Sequence, residues 1–249
     1  MATLLSLSAD EFYMIFSRIP YPDIIRVCQI HPRIYRLCTR EDRFRRLVLD
    51  KHYEYLIGRY GSPEQALIRV SEIGDISSLK LLLTRGINPS VNDNMAIIRA
   101  SGNGHLEVVN LLLDWCPRSA VECRRVDPSD QLNEAIIRAS ANGYLEIVER
   151  LLRDGRVDPS LPSNEAIIEA SENGHLEIVN LLLGWSPNVD PSDQRNLAIV
   201  LASENGHYEI VERLLEDERV NPTDRNNLAI KLASMKQHHH IVQLLLKYL

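Results

Sequence analysis

One pattern of apolar and polar positions recurs along most of the chain. Its clearest copy starts at Asn164 and reads NEAIIEASENGHLEIVNLLLGW. The first half has small residues at Ala166 and Ala170, four positions apart, which suits the close approach of a neighbouring helix. The second half is apolar around much of a helical circumference. Between them lies Asn173–Gly174, and glycine readily closes a helix. The pattern therefore predicts two short helices joined by a tight turn.

Six copies of this pattern follow one another, the first being the weakest. Gly143 and Gly174 are 31 positions apart, and Gly174 and Gly206 are 32 apart, a period typical of stacked helical repeats. The prediction is an all-α solenoid of about six helix-turn-helix repeats, each of which is stable only against its neighbours. We expect the repeats near residues 65–90, 94–128, 133–159, 164–191, 196–222 and 227–249.

Polar residues mark the expected ends of these helices. Asn164 has the short side chain that caps a helix N-terminus, so we expect asparagine to cap the first helix of each copy. Val189–Asp190–Pro191 is an X-Pro step that favours extended backbone before the next cap. Ser62–Pro63–Glu64–Gln65 is a capping-box signature. It places a domain boundary near Gly61, which gives domains at 1–61 and 62–249.

The repeated unit resembles the ankyrin repeat, from about Gly61 to Leu249. The resemblance is carried by the motif A-S-x-N-G-H-L-E-I-V-x-x-L-L, as from Ala170, and by His105, His175 and His207 after the glycine. The family's T-P-L-H opening is replaced by N-x-A-I-I, so its usual hydrogen bonds between repeats should be missing and asparagine caps should substitute for them. With its D-P-S linkers the array is similar to those of giant DNA viruses and protists. The resemblance implies a protein-binding module.

Residues 7–47 do not follow the repeat. Their apolar residues have helical spacing, broken at Pro20, Pro22 and Pro32, which predicts three short helices. A segment of this size is too small to hold a core alone, so we expect it to dock on something else. One interpretation is an N-terminal cap over the apolar end of the stack, which every solenoid needs.

The same segment resembles an F-box. Leu7–Ser8–Ala9–Asp10 matches the family's L-P-x-E opening, and the later apolar positions match without a gap as far as Leu37. Ser8 stands where the family prefers Pro, and Arg45 where it often has Trp. The resemblance implies binding to the small linker subunit of a cullin ubiquitin ligase. The residues expected to make that contact are Leu7, Asp10, Ile15, Ile19, Asp23, Ile24, Val27, Ile34 and Leu37.

Two functions are therefore open. In the first, the chain is an adaptor that recruits a substrate to the ligase, with the repeats holding the target. In the second, it is a ligase-independent binding scaffold or a competitive blocker, and its N-terminal helices only cap the stack. About eight extra residues between Cys116 and Arg125 predict a loop, either at a binding face or without a role.

Composition and charge narrow the classes of function. The chain carries a net charge of −6, but residues 1–61 carry +3 and the remainder −9, so the repeats are acidic and nucleic-acid binding is not expected. The histidines are spread along the stack, and adjacent His238, His239 and His240 point in different directions, so we expect no enzyme, metal or cofactor. The four cysteines are expected to be free thiols. With no signal peptide or membrane span, we expect an intracellular monomer in the cytoplasm or nucleus.

A target site can also be proposed from the alignment of the repeats. The same position of the first helix holds Arg69, Arg99, Arg138, Glu169, Leu201 and Leu232 in successive copies, and in the ankyrin family this helix lines the concave groove. Three arginines there would bind an acidic segment of a target, with an apolar portion towards Leu201. Alternatively, the arginines only pair with neighbouring acids such as Glu72 or Asp93.

Overall fold

The computed structural model describes residues 7–116 and 126–248, and their regular secondary structure is helical. The chain divides into two compact units, 1–70 with 75–88 and 71–74 with 89–249. The first repeat therefore belongs mainly with the N-terminal helices, and only its residues 71–74 belong with the other repeats. The extra residues expected to form a loop lie outside the described residues except for Cys116.

The N-terminal unit begins with four helices around an aromatic core: α1 (Ala9–Phe16), α2 (Asp23–Gln29), α3 (Pro32–Arg40) and α4 (Asp42–Tyr60). Phe16 packs edge to face against Phe12 and Phe44, with ring centroids 5.9 and 5.8 Å apart. Ser8 begins α1 with a capping box, in which its hydroxyl accepts from the Glu11 amide and its own amide donates to the Glu11 carboxylate. The serine that departs from the F-box pattern thus has a structural role here.

Two cysteines of this unit form a disulfide, which corrects the expectation of free thiols. Cys28 on α2 and Cys38 on α3 are buried, with Cα atoms 6.0 Å apart, a normal distance for such a bond. They face each other because the Pro32 turn folds α3 back on α2, a juxtaposition that sequence spacing does not reveal. Cys116 is disulfide-bonded as well.

The first repeat continues the N-terminal unit. Its helices are α5 (Pro63–Glu72) and α6 (Ile76–Thr84). The Ser62 hydroxyl accepts from the Gln65 amide at 3.1 Å, which confirms the predicted cap of α5. A polar cluster joins α4 to α6: the Ser78 hydroxyl donates to Asp75 at 2.5 Å and lies 2.9 Å from His52 Nε2. The His52 ring stacks on Tyr21, with centroids 4.3 Å apart.

This cluster should make the N-terminal unit less stable below neutral pH. Burial lowers the pKa of His52, an effect that the charge of Asp75 partly offsets. As pH falls from above 6.5 towards the folded-state pKa, the unfolded chain takes up a proton that the folded chain resists, so stability falls. His52→Gln keeps an N–H donor but removes the titration. We expect its unfolding midpoint to change less than that of the unsubstituted chain between neutral and mildly acidic pH, measured by urea titration. Equal changes in the two proteins would contradict this assignment.

The second unit contains the five remaining repeats. The first helices are α7 (Val91–Gly102), α9 (Asp130–Ala141), α11 (Glu165–Glu172), α13 (Asp193–Asn205) and α15 (Asp224–Met235). The second helices are α8 (Leu106–Asp114), α10 (Leu145–Leu152), α12 (Leu176–Trp185), α14 (Tyr208–Leu215) and α16 (His239–Leu245), followed by a 3₁₀ turn at Leu246–Tyr248. Consecutive first helices pack side by side, as the small buried residues Ala166 and Ala170 predict. Among the described residues, no helix is long and apolar enough to cross a membrane.

The repeat asparagines do not cap their own helices, which corrects the sequence expectation. Asn164 has φ 56° and makes no capping hydrogen bond. Instead its side-chain oxygen accepts from the Asp190 amide at 2.8 Å, and its nitrogen donates to the Asp193 carboxylate at 2.9 Å. Asn94 and Asn196 make the same two bonds, one to the linker of their own repeat and one to the first residue of the next first helix. The asparagines therefore link neighbouring repeats, a role that the expected capping did not include.

The D-P-S linker forms a local turn that presents the amide for this link. In the linker after Asn164, the Asp190 carboxylate accepts from both the amide and the hydroxyl of Ser192, at 2.9 and 2.7 Å. Asparagine and aspartate favour such turns because their short side chains reach the backbone two residues on. The Asp190 amide therefore stays free of the turn and donates to the Asn164 side-chain oxygen at the start of the same repeat.

Each histidine after the glycine turn makes a second link between repeats. The His207 ring nitrogen Nε2 lies 2.9 Å from the carbonyl oxygen of Glu172. The same ring covers Gly174, where a Cβ atom would lie only 2.6 Å from ring carbon Cε1. Gly174 also has φ +83°, in the region that favours glycine. This turn therefore requires glycine for two reasons: its backbone has a positive φ, and the histidine ring of the next repeat leaves no room for a Cβ atom.

Candidate protein-interaction surfaces

The first helices of the second unit expose one face, which we call the first-helix face. It consists of the positions one, five and eight residues after each repeat asparagine. These positions are exposed or half-buried, whereas the positions between them are buried in α7, α9, α11 and α13. A ladder of side chains on adjacent, parallel helices forms a continuous surface, with neighbouring helices roughly 8–10 Å apart. This surface is a regular feature that the repeats offer to a partner.

The arginines of this face are paired. Arg99 lies 4.0 Å from Glu72, and Arg138 donates to Glu134 at 2.6 Å. Arg69 lies in the other unit, where it is exposed. Two of the three arginines expected to receive an acidic segment therefore already have carboxylate partners, as the alternative interpretation proposed for Glu72.

Beyond Arg138 the face becomes acidic and then apolar. Glu169 is half-buried, and burial raises its pKa, with further increases from the charges of Glu172, Glu165 and Glu134. In the next two repeats these positions hold apolar side chains, Leu201 among them, except for Glu204 on α13. The alignment of the repeats identifies Glu169, Leu201 and Leu232, and the spacing from each asparagine identifies the neighbouring positions too. These additional residues are Glu165, Glu172, Leu197, Leu228 and Met235.

The residues expected to bind the ligase linker divide between the core and the surface of the N-terminal unit. Ile24 and Ile34 are buried in its core, whereas Ile15 is 40% exposed. The two acidic residues of this set are exposed and form ion pairs. Asp10 pairs with Arg43, and Asp23 pairs with Arg26. The remaining residues are half-buried: Leu7, Ile19, Val27 and Leu37. The buried isoleucines hold the helices together, so only the outer residues can contact a partner in this conformation.

An open groove lies on the same unit, between the start of α1 and the outer side of α3. It is lined by Ala9, Arg33, Arg36, Leu37, Arg40 and Glu41. Arg45, the other departure from the F-box pattern, lies outside this groove and donates to Asp42 at 3.1 Å. Its lining combines the apolar Leu37 with three arginines and Glu41, a composition suited to a protein partner.

A stack of paired helices with a continuous exposed face defines a helical repeat protein of the interaction class. The family model for ankyrin repeats matches residues 67–163 and 167–249, and the chain belongs to the ankyrin-repeat family. Among solved structures, the crystal structure of the human ASB11 ankyrin repeat domain is similar to it, with 22% identity and a TM-score of 0.56. The match covers 73% of this chain and 82% of that one and concerns the fold alone. No curated protein matches the chain.

Proposed function

We propose that this protein is an adaptor that recruits a target protein to a cullin-type ubiquitin ligase inside the cell. The ankyrin repeats are a non-catalytic protein-protein interaction module. In the proposed function, the N-terminal unit binds the linker subunit of the ligase and the first-helix face of the repeats binds the target. Such an adaptor acts by raising the effective concentration of the target near the ligase.

The exposed apolar surface of the N-terminal unit is the observation that supports this proposal. Ile15 on α1, Ile30 after α2 and Tyr35 on α3 are each at least 40% exposed, although the unit has its own aromatic core. A domain that merely covered the end of the stack would have no need for large apolar side chains in solvent. Exposed apolar residues rimmed by polar ones are typical of protein-binding surfaces.

Linker binding can be tested with one exposed substitution and a matched control. Ile15→Asp places a charge on the proposed contact surface and should weaken binding of purified linker subunit to the full chain by about tenfold or more, because an unpaired charge would be buried. Leu49→Asp makes a similar change at a residue of α4 that is 38% exposed and lies outside the proposed contact. It should bind as the unsubstituted protein does, measured by isothermal titration calorimetry.

Ile24→Asp would not serve this test, since Ile24 is fully buried and its replacement would unfold the unit. If the full chain does not bind the linker at micromolar concentration, the adaptor function is wrong. The repeats would then act as a ligase-independent scaffold or as a competitive blocker.

A further inference from the structure

The charge of the first-helix face changes sign along the stack. On α7 and α9 the arginines are balanced by Glu72 and Glu134. On α11 the face presents Glu165, Glu169 and Glu172, and the structure gives these three no cationic partner among the described residues. The next acidic residue along the face, Glu204 on α13, lies 4.0 Å from Lys236. The unbalanced charge of the face is therefore negative and centred on α11.

An apolar surface adjoins this acidic centre. On α13 and α15 the equivalent positions hold four half-buried leucines, and Met235 is 77% exposed. The leucines are Leu197, Leu201, Leu228 and Leu232. The packing of the first helices places the acidic helix directly beside α13, and α13 beside α15. One partner segment can therefore contact both parts of the face.

We propose that the first-helix face binds a segment of its target with basic residues at one end and apolar residues at the other. This inference rests on the proposed target-binding function of the repeats. The basic end would lie over Glu165, Glu169 and Glu172, and the apolar end over the leucines and Met235. The span is about two helix spacings, which corresponds to roughly five to six extended residues.

Charge complementarity is the reason to choose this occupant over an acidic segment. Arg99 and Arg138 have carboxylates beside them, so an acidic segment would have to compete with existing ion pairs. The three glutamates of α11 repel one another, which is consistent with the raised pKa of Glu169. A basic segment would relieve this repulsion, and its apolar end would cover Met235. Electrostatic pairing of this kind contributes chiefly to specificity and to the rate of association.

The proposal can be tested with labelled peptides and the full chain. The probe is a fluorescent peptide of about eight residues, with a block of arginine and lysine joined to a block of leucine and methionine. A shuffled peptide of the same composition and a peptide with glutamate in place of the basic residues serve as controls. We expect the block peptide to bind more tightly than both by fluorescence anisotropy, and more weakly as salt increases.

Substitutions locate the binding on the face. The double variant Glu169→Lys with Glu172→Lys should weaken binding of the block peptide by about tenfold, and Met235→Asp should weaken it by removing an apolar contact. Glu146→Lys with Glu177→Lys makes the same change of charge at exposed positions on second helices and should leave binding unchanged. Thermal unfolding of each variant verifies that it is folded.

Several results would overturn the inference: no binding of the block peptide, equal or tighter binding of the acidic or shuffled peptide, or an equal loss in the second-helix variant. Tighter binding of the acidic peptide would restore the site expected at Arg69, Arg99 and Arg138. Linker binding is measured on the same chain at a separate unit. Failure of the peptide with intact linker binding therefore rejects this inference alone, and the reverse result rejects the ligase function alone.

Discussion

Replacing Gly174 with alanine should destabilise the repeat domain by about 2–3 kcal/mol. Two costs add in this estimate. A residue with a Cβ atom at φ +83° loses roughly 1–2 kcal/mol. The new methyl group would also lie 2.6 Å from the His207 ring, and moving that ring would break its hydrogen bond to Glu172, at a cost of about 1 kcal/mol. Urea denaturation followed by circular dichroism measures the loss.

Two other glycines separate these costs. Gly155 has φ +78° but no atom within 4 Å of the added Cβ, so Gly155→Ala should lose only the backbone part, about 1–2 kcal/mol. Gly184 lies in α12, also with open space around it, and Gly184→Ala should be neutral or gain up to about 1 kcal/mol. If Gly174→Ala costs no more than Gly155→Ala, the ring of the next repeat is not a reason for glycine at this turn.

Replacing Asn164 with aspartate should have an effect of similar size, about 3 kcal/mol at neutral pH. The asparagine is buried, and its amide nitrogen donates to Asp193. Aspartate removes this donor and places a second carboxylate against the first, which should raise the pKa of the pair. A raised pKa in the folded state means that stability is lost as pH rises, so the variant should recover part of its stability in mild acid. Urea denaturation across this pH range measures both effects.

A second substitution should rescue this variant. In Asn164→Asp with Asp193→Asn, the donor and acceptor exchange places, and position 193 can still accept from the Gln194 amide as Asp193 does at 2.6 Å. The double variant should therefore recover most of the lost stability, and the two substitutions should be strongly non-additive. Additive losses would show that the bond between positions 164 and 193 does not link the repeats.

The sequence predicted the elements of the repeats because the forces that form them are local. Apolar spacing, the Gly174 turn and the Ser62 cap each depend on residues within a few positions of one another. The helix pairs and the cap of α5 were confirmed on that basis. The same local reasoning gave a wrong role for Asn164, since an asparagine before a helix is usually its cap.

The candidate site was predicted only in part. Aligning the repeats correctly placed Arg99, Arg138, Glu169 and Leu201 at one position of the first helices. It did not show which of these side chains already had partners. Glu72 comes from the preceding repeat, so only the folded arrangement could show that it pairs with Arg99. Glu134 lies four positions before Arg138 on the same helix, so helical spacing alone could have identified that pair.

By itself, the sequence determined the repeat, its period and the class of protein, because the same motif recurs in each copy at a regular spacing. The tertiary structure decided the partners of the polar side chains. The Asn164 side chain donates to the Asp193 carboxylate, and the His207 ring is hydrogen-bonded to the Glu172 carbonyl oxygen. Each partner lies about 30 positions away in the neighbouring repeat. Cys28 and Cys38 form a disulfide because a turn brings their two helices together. Hydrogen bonds and disulfides depend on distance in space, which the order of residues does not specify until the helices have packed.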